Sequence, residues 1–197
     1  MPRSNPALGR PARQEISEVL ALYCRSIDRM DKELMAAVFQ PNATVRYPKF
    51  EGAWTEFVDW MWALHRAYEI HSHQMSNVIF SPASDTSSAV TESYVSASLW
   101  TPAAGSSTTD LAAAPDAAGG AVAQTPGRQT EVRARYLDEW SLADGRWAID
   151  HRVCIVDFKT ELAAIGLVGE GRRDERDPSY DLGVSPRSRA HEGAVAR

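Results

Sequence analysis

Apolar residues recur at helical spacing near the start of the chain: Ile16, Val19, Leu20, Tyr23 and Ile27 define an amphipathic helix expected to end near Asp28. A short second helix is predicted after it, with Asp31 as N-cap, Glu33 in the first turn and Leu34, Met35, Val38 and Phe39 on its apolar side, stopped before Pro41. The stretch PNATVRYPKFEG reads as a turn and a strand with Val45 and Tyr47 on one face, and Pro48 marks it as an edge or a strand end. A third helix is predicted over 55–68, where Phe57, Trp60, Met61, Leu64 and Tyr68 form an aromatic-rich stripe.

Beyond that point the period changes from helical to two. In EIHSHQMSNVIF, alternation puts His71, His73, Met75, Asn77 and Ile79 on one face and Ser72, Gln74, Ser76 and Val78 on the other. The turn SPASDTSS leads to a strand over 89–100 rich in Val, Tyr, Thr and Ser. In RQTEVRARYLDEWSL, Thr130, Val132, Ala134, Tyr136, Trp140 and Leu142 face one way, and Asp138 falls among them. The Asp-Gly of ADGR is a hairpin signal, and it opens a last strand, RWAIDHRVCIVDF, with Arg152 set opposite Trp147, Ile149 and Val153. Three helices with a short strand among them, then four long antiparallel strands, indicate an α+β domain. The helices are expected against one face of a curved antiparallel sheet, making a cone with a deep pocket.

The domain is expected over 14–170, after a disordered segment from 1 to about 13. Within it, the Ala/Gly/Ser/Thr/Pro-biased stretch 102–127 reads as a flexible hairpin insertion at one rim of the sheet. A charged C-terminal tail, 171–197, lacks periodicity, although its RRDERDPSYDL is a candidate to be pinned against the body. A formal net charge of −5 over 197 residues argues against a nucleic-acid footprint. Cys24 and Cys154, without CxxC spacing, read as reduced core thiols. No apolar run has signal-peptide or membrane-spanning length, so a soluble cytoplasmic protein is expected, with no membrane partner.

Candidate chemistry centres on His73. Asp28 stands at the end of an otherwise amphipathic helix, and a carboxylate packed against the sheet there needs a partner. An Asp28–His73 pair fixes the imidazole tautomer and leaves its other nitrogen as a general base near neutral pH; otherwise Asp28 merely terminates the helix in water. Arg152 holds an anionic or carbonyl oxygen if its face is concave, and is a surface ion-pair residue if convex. Tyr23 lies on the apolar face of the first helix. Tyr47, Trp54, Tyr94, Trp100, Tyr136 and Trp140 are core aromatics that together suit a hydrophobic ligand. The HSH motif offers His71 and His73 as metal ligands, but only His151 or Glu92 are at hand to complete a set, and neither has a recognisable spacing. With no glycine-rich phosphate loop or GxSxG elbow, chemistry without metal or organic cofactor is expected.

Taken together, EISEVLALYCRSIDRMDKELMAAVFQPNATVRYP, HSHQMSNVIF, RARYLDEWSLADGRWAIDHRVCIVD and RRDERDPSY resemble the SnoaL-like branch of the NTF2-like superfamily. Within that superfamily the chain looks most like cofactor-independent lyases: scytalone dehydratase, bile-acid 7α-dehydratase and hexachlorocyclohexane dehydrochlorinase. The resemblance implies an Asp–His dyad at Asp28 and His73. Tyr23 and Arg152 match a tyrosine and a last-strand arginine of the bile-acid enzyme, whose further acidic residue has no clear counterpart here. His71, Asn77, Tyr47, Trp54, Trp100 and Tyr136 are the expected substrate contacts. The implied activity is loss of water or formaldehyde from a small hydrophobic, aromatic substrate such as a lignin-derived diarylpropane, in a homotrimer or dimer. An isomerase or cyclase of polyketide or steroid type, and a non-catalytic ligand-binding module, remain the alternatives.

Overall fold

The computed structural model describes residues 8–81, 86–101, 127–164, 172–174 and 176–182. Its first helix, α1 (Arg10–Asp28), begins with Pro11 in the opening turn, where a missing N–H costs nothing. It therefore starts inside the segment expected to be disordered. Ile16, Leu20, Tyr23, Cys24 and Ile27 form its buried stripe. Met30, at φ 50°, turns the chain, and the Asp31 carboxylate caps α2 (Lys32–Ala36) by accepting the Leu34 N–H at 3.0 Å. Phe39, expected in this helix, instead opens strand β1 (Phe39–Tyr47). Pro41 lies within β1 at an interruption of the ladder between Phe39 and Thr44, the place where a residue without an N–H is tolerated. A four-residue strand, β2 (Phe50–Ala53), which sequence patterning did not reveal, pairs antiparallel with β1 before α3 (Trp54–His65).

Four long strands follow: β3 (Ile70–Ser81), β4 (Ser88–Thr101), β5 (Gly127–Ala143) and β6 (Arg146–Ala164). Among the described residues the sheet has six strands in the order β2-β1-β6-β5-β4-β3. The expected antiparallel run of four is present, but β1 pairs parallel with β6, so the sheet is mixed. The β5–β6 connection is the predicted Asp-Gly turn, with Asp144 and Gly145 both at positive φ (52° and 73°) as a two-residue hairpin requires. The biased stretch 102–126 lies outside the described residues, and Thr101 and Arg128, close to either end of it, are paired neighbours. The described part of RRDERDPSYDL is pinned: the 3-10 turn Pro178–Leu182 packs against the end of α1, with Tyr180 buried and its hydroxyl donating to Asp31 Oδ2 at 3.2 Å.

Two β-bulges revise the predicted faces. In β6 the register shifts between Glu139/His151 and Trp140/Ile149, leaving Asp150 as the extra residue. The phase of alternation inverts there, so Trp147 and Ile149 before the bulge and Arg152 and Cys154 after it are all buried. Arg152 thus shares a face with Trp147 and Ile149 rather than opposing them, and that face is the buried one, against the helices. In β3 the shift falls between Ser76 and Ile79, with Asn77 at φ 49°. Asn77 and Ile79 therefore leave the His73 face and are exposed, while Val78 and Phe80 turn in toward the core.

Inside the helix-packed face lies a fully buried ion pair. Arg152 Nε and Nη2 donate to Asp138 Oδ1 and Oδ2 at 2.7 and 2.8 Å, with both side chains 0% exposed. The guanidinium sits between the rings of Tyr23 and Tyr136, at 4.0 and 4.1 Å from their centroids. Burial opposes the Arg152 charge, but the Asp138 carboxylate outweighs it and holds the guanidinium well above its ordinary range. Removing one partner of such a pair leaves a buried charge unmet. Asp138→Ala is expected to lower stability in urea denaturation by about 3–5 kcal/mol, whereas an Asp138→Leu/Arg152→Met double variant should lose much less. Equal losses from both would mean that the pair adds nothing beyond packing.

Candidate active site

The end of α1 meets the edge of the sheet at Asp28. Strand β3 is an edge strand, so every second backbone N–H points away from β4 and needs an acceptor. The His73 N–H finds both oxygens of Asp28, at 3.1 and 3.0 Å. The imidazole of the same residue donates from Nδ1 to Asp28 Oδ1 at 2.7 Å. One carboxylate therefore covers a sheet-edge donor and orients a ring. With Nδ1 carrying the proton, Nε2 bears the lone pair, and it makes no hydrogen bond among the described residues.

This pair lies in the wall of a cavity of about 360 Å³ lined by Ala21, Cys24, Arg25, Asp28, Arg29, His73 and Met75. Such a volume fits a small organic ligand. The walls are apolar at Ala21, Cys24 and Met75 and cationic at Arg25 and Arg29. Arg29 is paired with Asp177 of the docked C-terminal segment at 3.3 Å. Burial pushes the Cys24 thiol up to about 12, with the nearby Asp28 carboxylate adding to the effect, so it lines the cavity as a neutral group.

The other residues singled out in the sequence fall elsewhere. Tyr23, Tyr47, Tyr136 and Arg152 meet, but in the buried cluster around Asp138 rather than in the cavity wall. The Tyr23 and Tyr47 hydroxyls are 2.7 Å apart, and burial raises the Tyr23, Tyr47 and Tyr136 phenols above their ordinary range, so all three stay protonated. Trp54 stacks on Phe39 and donates to the Pro41 carbonyl at 3.3 Å. Trp100 is buried beside Gly127, Asn77 is exposed at its bulge, and His71 packs against His65 with ring centroids 4.5 Å apart. None of these four lines the cavity. Among the described residues no group of three or more His, Cys, Asp or Glu side chains is arranged to hold a metal ion.

Two features went unread in the sequence. Asp138 on the apolar face of β5 was visible, but its partner was hidden because the Asp150 bulge cannot be seen in the pattern. Arg25 stands three residues before Asp28 and four before Arg29, a helical spacing that the sequence carried.

A SnoaL-like domain model matches residues 10–153. The chain belongs to the SnoaL-like domain family. Its sheet and helices are those of the NTF2-like superfamily. The hexachlorocyclohexane dehydrochlorinase LinA-type3 of Novosphingobium barchaimii LL02 superposes with a TM-score of 0.59 at 14% identity, covering 81% of this chain and 95% of that one. A candidate scytalone dehydratase from Novosphingobium aromaticivorans DSM 12444 gives 0.57 at 18% identity, covering 81% and 93%. A cystatin-like-fold protein of unknown function from Nostoc punctiforme PCC 73102 gives 0.55 at 19%, covering 77% and 95%. At these identities the likeness establishes the fold. No curated protein sequence matches this SnoaL-like chain.

Behind His73 stand two more buried imidazoles. Burial lowers His65 to about 2 and His71 to about 4, helped by the neighbouring histidines and by Arg173. Both are neutral in the folded state at neutral pH, whereas in the unfolded chain they titrate near 6.5. As pH falls below about 6.5 the unfolded chain binds protons that the folded chain refuses, so stability is lost progressively on the acid side and is fully present above it. His71 alone accounts for about 3 kcal/mol of that loss by pH 4. Melting temperatures from pH 7 to 4.5 should fall more steeply for the SnoaL-like domain as found than for His71→Asn; parallel profiles would show that His71 is protonated in the fold.

Proposed function

We propose that this SnoaL-like protein is a cofactor-independent lyase whose general base is His73. The observation that carries the reading is the Asp28 carboxylate bonded to both the ring and the backbone of His73 in the wall of a ligand-sized cavity. In this mechanism Nε2 takes a proton from the carbon next to the one bearing the leaving group. The electron pair of the broken C–H bond forms the new double bond, and the C–O bond breaks. The departing oxygen accepts a proton, in its turn from the imidazolium, and leaves as water. In a diarylpropanediol the same base takes the proton of the terminal hydroxyl, the C–C bond breaks to give formaldehyde, and the second hydroxyl departs as water.

Asp28 is the positioning residue: it fixes the tautomer and stays a carboxylate while the imidazolium exists. Arg152, its charge matched by Asp138, serves the site by position: it holds the Tyr23 ring and with it the turn of α1 that carries Cys24 and Asp28. Tyr23 supports that cation with its ring and closes the network through Tyr47. The substrate class favoured by the apolar part of the cavity is a small aromatic molecule.

The same reading includes a soluble cytoplasmic homo-oligomer, a trimer by family resemblance. Support for assembly comes from the outer face of the sheet, where Ile79, Val90, Tyr94, Phe158 and Leu162 are exposed, Phe158 by 57%. No helix among the described residues is long and apolar enough to cross a membrane.

A mass-resolved turnover screen of hydroxylated and diaryl aromatic substrates tests the chemistry. Loss of water or formaldehyde is expected for the unaltered protein, reduced roughly 10²–10⁴-fold in His73→Ala and strongly reduced in Asp28→Asn. Mass-neutral conversion would assign an isomerase instead, and turnover that survives both substitutions would remove the dyad from the mechanism. For the assembly, light scattering behind a sizing column should show an oligomer that Phe158→Asp converts to monomer.

A further inference from the structure

Arg25 is held by the docked C-terminal segment with one edge of its guanidinium unpaired among the described residues. Its Nη1 donates to Ser179 Oγ at 2.8 Å, and its guanidinium lies over the Tyr180 ring at 5.1 Å from the centroid. These contacts, both with the docked C-terminal segment, fix the plane of the side chain. The opposite edge, Nε and Nη2, is shielded from solvent and makes no hydrogen bond among the described residues. Leaving charged donors dehydrated and unpaired is costly, so an orphaned edge of this kind calls for an acceptor. The molecule itself shows which acceptor suits it. Arg152 uses the same two nitrogens to grip both oxygens of Asp138.

The carboxylates near Arg25 are committed elsewhere. Asp28 serves His73, while Asp177 pairs with Arg29 and accepts the N–H groups of Arg172 and Ser179. Among the described residues lining the cavity, Arg25 is the cation left without an anionic partner. It shares that lining with Asp28 and His73, one helical turn from the former.

We propose that Arg25 is the carboxylate-binding residue of this cavity and that the ligand is an aromatic carboxylate: its acid group pairs with the Arg25 guanidinium, whose Nε/Nη2 edge is uncovered as the ligand enters, and its apolar body lies against Ala21, Cys24 and Met75. This rests on the reading of the cavity as the substrate site and narrows the substrate from aromatic compounds in general to aromatic acids. Two parallel N–H···O bonds give both energy and direction, so the acid group sets the register in which the remainder of the substrate meets His73.

The test uses the full chain and a matched pair of probes, 3-phenylpropionate and its neutral amide, titrated by calorimetry. The acid should bind at least tenfold more tightly than the amide. Arg25→Gln should bring the two within twofold, and Arg25→Lys, which keeps the charge and loses the fork, should fall between. Ser179→Ala, which leaves the Nε/Nη2 edge in place, should retain the preference. Equal binding of acid and amide, a preference that survives Arg25→Gln, or no binding of either probe would overturn the proposal. Failure of the lyase reading has another signature: the acid preference persists in the unaltered protein and in His73→Ala, while no substrate turns over in either.

Discussion

The pairing of Arg152 with Asp138 is the constraint around which the interior is arranged. A cation with no exposure must be compensated at every side, and four side chains from three elements contribute. The β5 carboxylate supplies the counter-charge, Tyr136 of β5 and Tyr23 of α1 supply aromatic faces, and Phe39 of β1 closes in at 6.0 Å. Desolvated cation–π contacts of this kind contribute up to about 2 kcal/mol each, enough to offset part of the desolvation cost and to specify how α1 lies on the sheet. Because Tyr23 is fixed by that stack, the turns of α1 beyond it are fixed as well. Cys24, Arg25 and Asp28 then fall on the cavity side.

At its far end α1 is tied again, to a strand that has no strand neighbour on one side among the described residues. An exposed strand edge invites further pairing, and proteins commonly blunt it. Here one carboxylate does so while also gripping an imidazole. The two readings of Asp28 that the sequence allowed, helix terminator and dyad member, are thus complementary: the helix does end there, and its last side chain reaches the sheet. Asp177 and Ser179 of the docked C-terminal segment hold Arg29 and Arg25, two of the residues that line the cavity.

Much of this was legible in advance because it follows from local periodicity. The stripe Ile16, Leu20, Tyr23, Ile27 specified α1, and strict alternation from Thr130 to Trp140 placed Asp138 inward. The dyad could be proposed because an aspartate at the end of an amphipathic helix and a histidine in a polar strand each raise the same question of a missing partner. What alternation could not carry was a change of phase. Asp150 and Asn77 each add one residue to a strand, and on the far side of each the inner and outer faces exchange. Arg152 was therefore assigned the wrong neighbours, and Asn77 the wrong face. The short β2 and the early start of β1 escaped for a different reason, since Gly52 and Pro41 contradict strand propensity and only pairing with neighbours overrides them.

The double grip of Asp28 has a consequence for the energetics of proton transfer. In solution, a base that gains a proton becomes a cation, and the surrounding dipoles must turn to meet it; that rearrangement is part of the barrier. Here the strand N–H donates to the carboxylate whether the ring is neutral or charged, so the acceptor is already in place before the proton arrives. In the proposed mechanism the backbone of β3 thereby bears a reorganisation energy that solvent would otherwise demand.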